Sequence, residues 1–344
     1  MLPKIIERDD LRAFVEALLA DNVVVAPIRK GEKYVFSEVE TFDEIALDYN
    51  ISLLSPKKFF YPQIETVLKF KIGDRPESQA ITEASPVIIF GIHPCDIAAT
   101  WLLDEVFKED PADPNYLEKR KKAVLIGLNC AQPCDEFSFC RDMGSYNVEE
   151  GFDLMLTDLG EKYFVEIGSK LGEEILVEGA HFRDATSGDL KDRQAYQEKK
   201  ETNFVKRIPY DTKFLPEILE ESYDSLVWDA IAKRCFSCGS CNIVCPTCYC
   251  FNVTDEVAAS AAEGERKRVW DSCQLAEFTE VAGGEVFREE RSSRLRHRFF
   301  RKGKWLLERY GKLGCVGCGR CDRNCLVKIN SVEVYTQLAG EPVQ

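Results

Sequence analysis

No apolar run in this chain of 344 residues reaches the ~18 residues that a membrane-spanning helix needs. The start, Met1-Leu-Pro-Lys-Ile-Ile-Glu-Arg-Asp-Asp10, lacks an apolar core, a twin arginine and a small-residue cleavage site, so a cytoplasmic protein is expected. Basic charge is in deficit: 45 Lys and Arg stand against 59 Asp and Glu, a net charge of −14. General affinity for nucleic acid is thereby disfavoured. No aromatic platform accompanies the basic residues to stack bases. A phosphate cradle is also missing, because Gly317-Cys318-Gly319 lacks the strand, glycine-rich turn and helix of a dinucleotide site. A siroheme-type pattern is absent, as are the paired nickel-binding cysteines found at the ends of a large subunit. No substrate site is expected in this chain alone.

Cysteine is what the chain has in quantity, fifteen in all. Without a secretory signal, such spacing points to metal ligation in a reducing compartment rather than to disulfides. Cys235-Phe-Ser-Cys238-Gly-Ser-Cys241-Asn-Ile-Val-Cys245 and Cys315-Val-Gly-Cys318-Gly-Arg-Cys321-Asp-Arg-Asn-Cys325 are both C-x2-C-x2-C-x3-C. Bacterial ferredoxins hold [4Fe–4S] clusters with this run, and the fourth Cys of each motif ligates the other cluster. Cys235, Cys238, Cys241 and Cys325 are therefore assigned to one cluster. Cys315, Cys318, Cys321 and Cys245 take the second. Zinc sites pair two C-x2-C knuckles and need neither the third Cys nor the C-x3-C step. Electron transfer is the chemistry this predicts.

The remaining chain predicts an α+β protein. An N-terminal mixed α/β domain, residues 1–224, precedes a helical ferredoxin-like domain with two clusters, residues 225–344. Leu11, Phe14, Val15 and Leu18 recur at helical spacing, which predicts a helix from Asp10 to Leu19. Val23–Ala26 and Tyr34–Phe36 are predicted strands, and Ser55–Pro62 a loop or extended arm. Val87–Ile92 and Ala123–Leu128 are buried-strand runs that stop at Cys-bearing loops, which suggests neighbouring parallel strands with a site at their carboxyl ends. A helix carrying Ile97, Trp101 and Leu102 inward is expected after the first. Phe152–Leu156 and Tyr163–Ile167 are predicted to form a hairpin. Residues 184–202 predict a surface helix, and helices are expected over 214–219 and 225–232.

Cys95, Cys130, Cys134 and Cys140 lie on the two strand-end loops, and a third cubane site is expected there, against the alternative of buried thiols in a cluster-free domain. Pro133 would turn the loop so that Cys134 serves as a ligand; Asp96 or Asp135 is the alternative donor. His93 is expected to be a hydrogen-bonded loop residue. Cys248, Cys250 and Cys273 are read as buried thiols beside the cluster domain. Between the motifs, Gly264–Lys312 holds thirteen Lys and Arg against eight Asp and Glu. Positive charge there would raise cluster potentials or dock a partner, unless it is simply a solvated helical face.

Several stretches resemble one family along nearly the whole chain: Ser55-Pro-Lys-Lys-Phe-Phe60, Phe90-Gly-Ile-His-Pro-Cys-Asp96, Cys245-Pro-Thr-Cys-Tyr-Cys250, Trp270-Asp-Ser-Cys273, Ala282-Gly-Gly284, Arg294-Leu-Arg-His-Arg298 and Cys315–Cys321. The family joins the iron–sulfur beta subunits of soluble NAD(P)-linked NiFe hydrogenases (sulfhydrogenases) to the iron–sulfur subunit of anaerobic sulfite reductase. The resemblance implies three [4Fe–4S] clusters and a partner flavoprotein subunit binding FAD and NAD(P). It also implies a further iron–sulfur or catalytic redox subunit, of hydrogenase or heterodisulfide reductase type. Two positions depart from it: Ser138 stands where relatives carry a cysteine, and Leu326 where they carry a proline. A sulfite reductase subunit is the alternative within the family, and a regulatory iron–sulfur sensor the alternative outside it.

Overall fold

Continuous apolar runs such as Val87–Ile92 and Ala123–Leu128 are stable only as strands covered on both faces, and they form the middle of the larger sheet. The computed structural model describes residues 2–176 and 182–340. Its strands are β1 (Lys4–Glu7), β2 (Val24–Lys30), β3 (Lys33–Glu38), β4 (Ile64–Lys71), β5 (Glu77–Ala80) and β6 (Val87–Ile92). They continue with β7 (Ala123–Leu128), β8 (Leu154–Asp158), β9 (Lys162–Ile167), β10 (Arg183–Asp184), β11 (Phe251–Val257) and β12 (Glu263–Trp270).

The larger sheet runs β10-β1-β9-β8-β7-β6-β2-β3. Its centre, β2, β6, β7 and β8, is parallel, so β6 and β7 are the parallel neighbours their sequences predicted. β8 and β9 pair antiparallel as the expected hairpin. The helix Arg8–Asp21 buries Leu11, Phe14, Val15 and Leu18 against one face. Behind β6, the helix Pro94–Phe107 opens on a proline, whose missing N–H and fixed φ suit a first turn. It buries Ile97 and Leu102, but Trp101 is only half-buried, its ring lying 3.8 Å from the Lys312 ammonium. Ser55–Pro62 is not a free arm: Pro56–Phe59 is a short 3-10 turn, and Phe60 and Tyr61 are buried.

The second sheet was not foreseen. β11 and β12, from between the two cysteine motifs, pair with each other, and β12 pairs with β4 in the order β11-β12-β4-β5. Strands from both sides of residue 225 thus share hydrogen bonds, and the C-terminal part is not purely helical. Its helical core packs Trp228, Leu295, Phe299, Phe300 and Tyr335 together. The helix Arg291–Phe300 continues through a π-helical turn, Arg301–Trp305, which buries Lys302. Among the described residues, no helix is long and apolar enough to cross a membrane.

Candidate metal centres

Each cysteine motif wraps a loop around a cavity, and each cavity draws its fourth thiol from the other motif. Cys235, Cys238 and Cys241 line the first cavity together with Cys325. Cys315, Cys318 and Cys321 line the second together with Cys245. Cys321 also borders the first, so the two cavities adjoin. Cys238 is exposed, while Cys318 is buried; the first cavity meets solvent and the second lies deeper. Phe236 and Leu326, both largely exposed, stand at the rim of the first.

The third group forms where the sheet predicts it. The ends of β6 and β7 bring Cys95 and Cys130 to one edge, and the loop after β7 adds Cys134 and Cys140. Cys95, Cys140 and Cys318 belong to one buried cluster, against which Cys130 and Cys134 pack. Burial pushes the Cys95 thiol well up, with Asp96 and Cys318 adding to the rise. Burial also pushes Cys140 up to about 12. Such thiols stay protonated unless a metal takes the proton's place. The Cys134 side chain meets those of Cys130 and His93, and His93 stacks on Tyr49 with ring centroids 4.1 Å apart.

The suggested carboxylate donors are otherwise engaged. Asp96 accepts two hydrogen bonds from Arg320, both 2.7 Å, in a fully buried pair. Asp135 accepts from Arg323, and Ser138 Oγ lies 3.3 Å from the same carboxylate. Among the described residues, the four thiols and the His93 imidazole remain as donors at this edge. Gly317 and Gly319 hold the second motif against their loop. Both have positive φ, and a Cβ on either would sit 2.5–2.6 Å from the carbonyl of Phe139 or Phe137. Only glycine permits this approach, and Phe139 N–H donates to Gly317 O across the contact at 2.8 Å.

Four buried cations surround these thiols, and none has a carboxylate in ion-pair contact among the described residues. Lys200 donates to Asn129 Oδ1 and Tyr146 O, and burial lowers its pKa to about 8. Lys57 donates to the carbonyls of Cys245 and Cys248, and burial lowers it to about 8 as well. Lys302 donates to Thr247 Oγ1; burial opposes its charge, but Cys245, Cys248 and Cys315 more than restore it. Arg298 lines both cavities, and its Nε is buried without a hydrogen-bond partner. Unpaired buried charge is costly, so anionic thiolate-bound clusters fit this donor set and its surroundings. Arg298 lies in the basic stretch noted from sequence. Lys302 shares that stretch, whereas Lys57 and Lys200 carried no signal of burial, the helix of Lys200 having few apolar positions.

One nearby group makes stability pH-dependent. Burial, then the charge of Arg288, lowers His297 to about 4, against an ordinary value of about 6.5. The unfolded chain therefore binds the extra proton between those values, and stability is full above pH 6.5 and falls as pH drops to 4. After discounting for the half-exposed ring, about 1–2 kcal/mol is expected to be lost. Denaturant titrations at pH 7 and pH 4.5 measure it, and His297→Phe is expected to remove that part of the slope.

Comparison with known proteins agrees with the cysteine geometry. Residues 234–329 match the 4Fe-4S dicluster domain family. Over 316 residues, 92% of each chain, the sequence is 36% identical to the sulfhydrogenase 2 subunit beta of Pyrococcus furiosus.

Proposed function

The chain belongs to the sulfhydrogenase beta-subunit family, and from that premise we propose that it is the electron-relay subunit of a cytoplasmic oxidoreductase complex. It stands between a flavoprotein subunit that binds FAD and NAD(P) and a further redox subunit of hydrogenase or heterodisulfide reductase type. The observation that carries this reading is the succession of thiol sets from surface to sheet edge. Cys241 and Cys321 lie within electrostatic reach of Cys245, and Cys95 and Cys140 within that of Cys318.

Three [4Fe–4S] clusters supply reversible one-electron chemistry when bound, and the chain's work is to hold, insulate and tune them. Cys235, Cys238, Cys241 and Cys325 hold the first, and Cys315, Cys318, Cys321 and Cys245 the second. Cys95, Cys130, Cys134 and Cys140 hold the third. The apolar wall of Phe139, Val316 and Tyr335 keeps water from the middle set. Arg298, between the first two, and Lys200, beside the third, favour the more negative, reduced state and so raise potentials.

The test is reconstitution. The isolated chain is expected not to oxidise NAD(P)H, and addition of the flavoprotein subunit to confer NAD(P)H-dependent dye reduction. Flavin-free NAD(P)H oxidation by this chain alone would overturn the relay.

A further inference from the structure

Twelve cysteines fall into the three sets above, and the other three are not scattered. Cys248 and Cys250 follow directly on the first motif, while Cys273 comes from beyond the β11–β12 hairpin. The Asp271 N–H donates to Cys250 O at 2.9 Å, closing the mouth of the hairpin and returning Cys273 to Cys250. The side chains of Cys250 and Cys273 meet, and Cys248 lies within electrostatic reach of Cys250 and against Cys245.

The surroundings suit an anion with soft donors. Asn242 Nδ2 donates to Cys273 Sγ at 2.9 Å, as amides do to metal-bound sulfur. Lys57, 3% exposed, holds the Cys245 and Cys248 carbonyls at 2.8 and 2.6 Å, with its ammonium 4.2 Å from the Trp270 ring. Lys302 and Arg301 also act on Cys248, Lys302 bound to Thr247 and Arg301 to the Tyr249 hydroxyl. Three cations with no ion-paired carboxylate among the described residues do not gather around neutral thiols without cost. Cys273 meets Cys250 while Cys248 lies against Cys245, so the three sulfurs are spread around a space rather than gathered on one point, an arrangement suited to a polynuclear group.

We propose that Cys248, Cys250 and Cys273 hold a further iron–sulfur cluster through three thiolates, beside the line from the first set to the second. Each thiol releases its proton to solvent as it ligates iron. The three thiolates leave one corner of a four-iron cluster without a cysteine. Contact with Cys245 places the site on a side branch of the second set. Its role there rests on the relay reading; its metal content does not.

The whole chain, purified anaerobically and reconstituted with iron and sulfide, provides the test. Cys248→Ser/Cys250→Ser/Cys273→Ser is expected to contain about three to four irons fewer than wild type, with the ferredoxin-type EPR signals retained. An unchanged iron content in a variant that melts like wild type would overturn the site, as would a Cys250–Cys273 disulfide in the fully loaded protein. The variant's absolute content reports separately on the three-cluster relay: about twelve irons for three clusters, about eight for two. Should the variant not fold, Mössbauer spectra of iron-57 wild type decide. Iron lacking full sulfur coordination, or a three-iron cluster, is expected; spectra that show only four-iron clusters with every iron fully sulfur-ligated sink the proposal.

Discussion

Asp96→Ala is expected to destabilise the protein by about 3–5 kcal/mol, the cost of leaving a buried charge without its partner. Arg320 and Asp96 are both 1% exposed, and among the described residues the other side-chain hydrogen bonds of Arg320 go to Ser52, its backbone oxygen at 2.9 Å and its hydroxyl at 3.0 Å. The pair joins residues 224 positions apart and ties the loop of the second motif to the helix that begins beside Cys95. Loss of the third cluster should therefore accompany the loss of stability. Denaturant unfolding and iron content together measure this. The double change Asp96→Met/Arg320→Met is expected to recover most of the stability, because two apolar side chains leave no charge unpaired. An Asp96→Ala protein as stable as wild type would mean that the pair does not hold the two segments together.

Cys245→Ala is expected to remove the cluster of Cys315, Cys318 and Cys321, about four irons, and to leave that of Cys235, Cys238 and Cys241 in place. Cys325→Ala is expected to do the reverse. The basis is the composition of each cavity, where the fourth thiol comes from the other motif. The two losses should differ in character. The first cavity opens to solvent at Cys238, so Cys325→Ala affects a site that partner proteins and small reductants can reach. The second is enclosed, and Cys245→Ala breaks the succession at its middle. EPR of the reduced variants separates these outcomes, since the magnetic coupling between the first and second clusters should vanish in both, while the coupling of the second to the third survives only in Cys325→Ala. Retention of the Cys315-based signal in Cys245→Ala would reject the crossed arrangement.

The two cysteine motifs, the parallel pairing of β6 with β7 and the amphipathic helix Arg8–Asp21 were all legible in the amino-acid sequence. Each is a local pattern: eleven residues set the spacing of a ligand loop, and six apolar residues mark a strand buried on both faces. The position of Cys95 and Cys130 at one sheet edge followed from that strand pairing. The cations were not legible. Lys57 finds its carbonyl partners 188 and 191 residues away, and Lys200 sits in a helix with few apolar positions. The pairing of β12 with β4 was equally hidden, because β12 is charged along most of its length and its partner strand lies on the far side of the first cysteine motif. The carboxylates offered as ligands, Asp96 and Asp135, were removed from that role only by arginines more than 180 positions on. Ligand spacing is a short-range constraint written in neighbouring residues. Which charges are buried, and what neutralises them, depends on contacts between distant segments, and only the tertiary structure decides it.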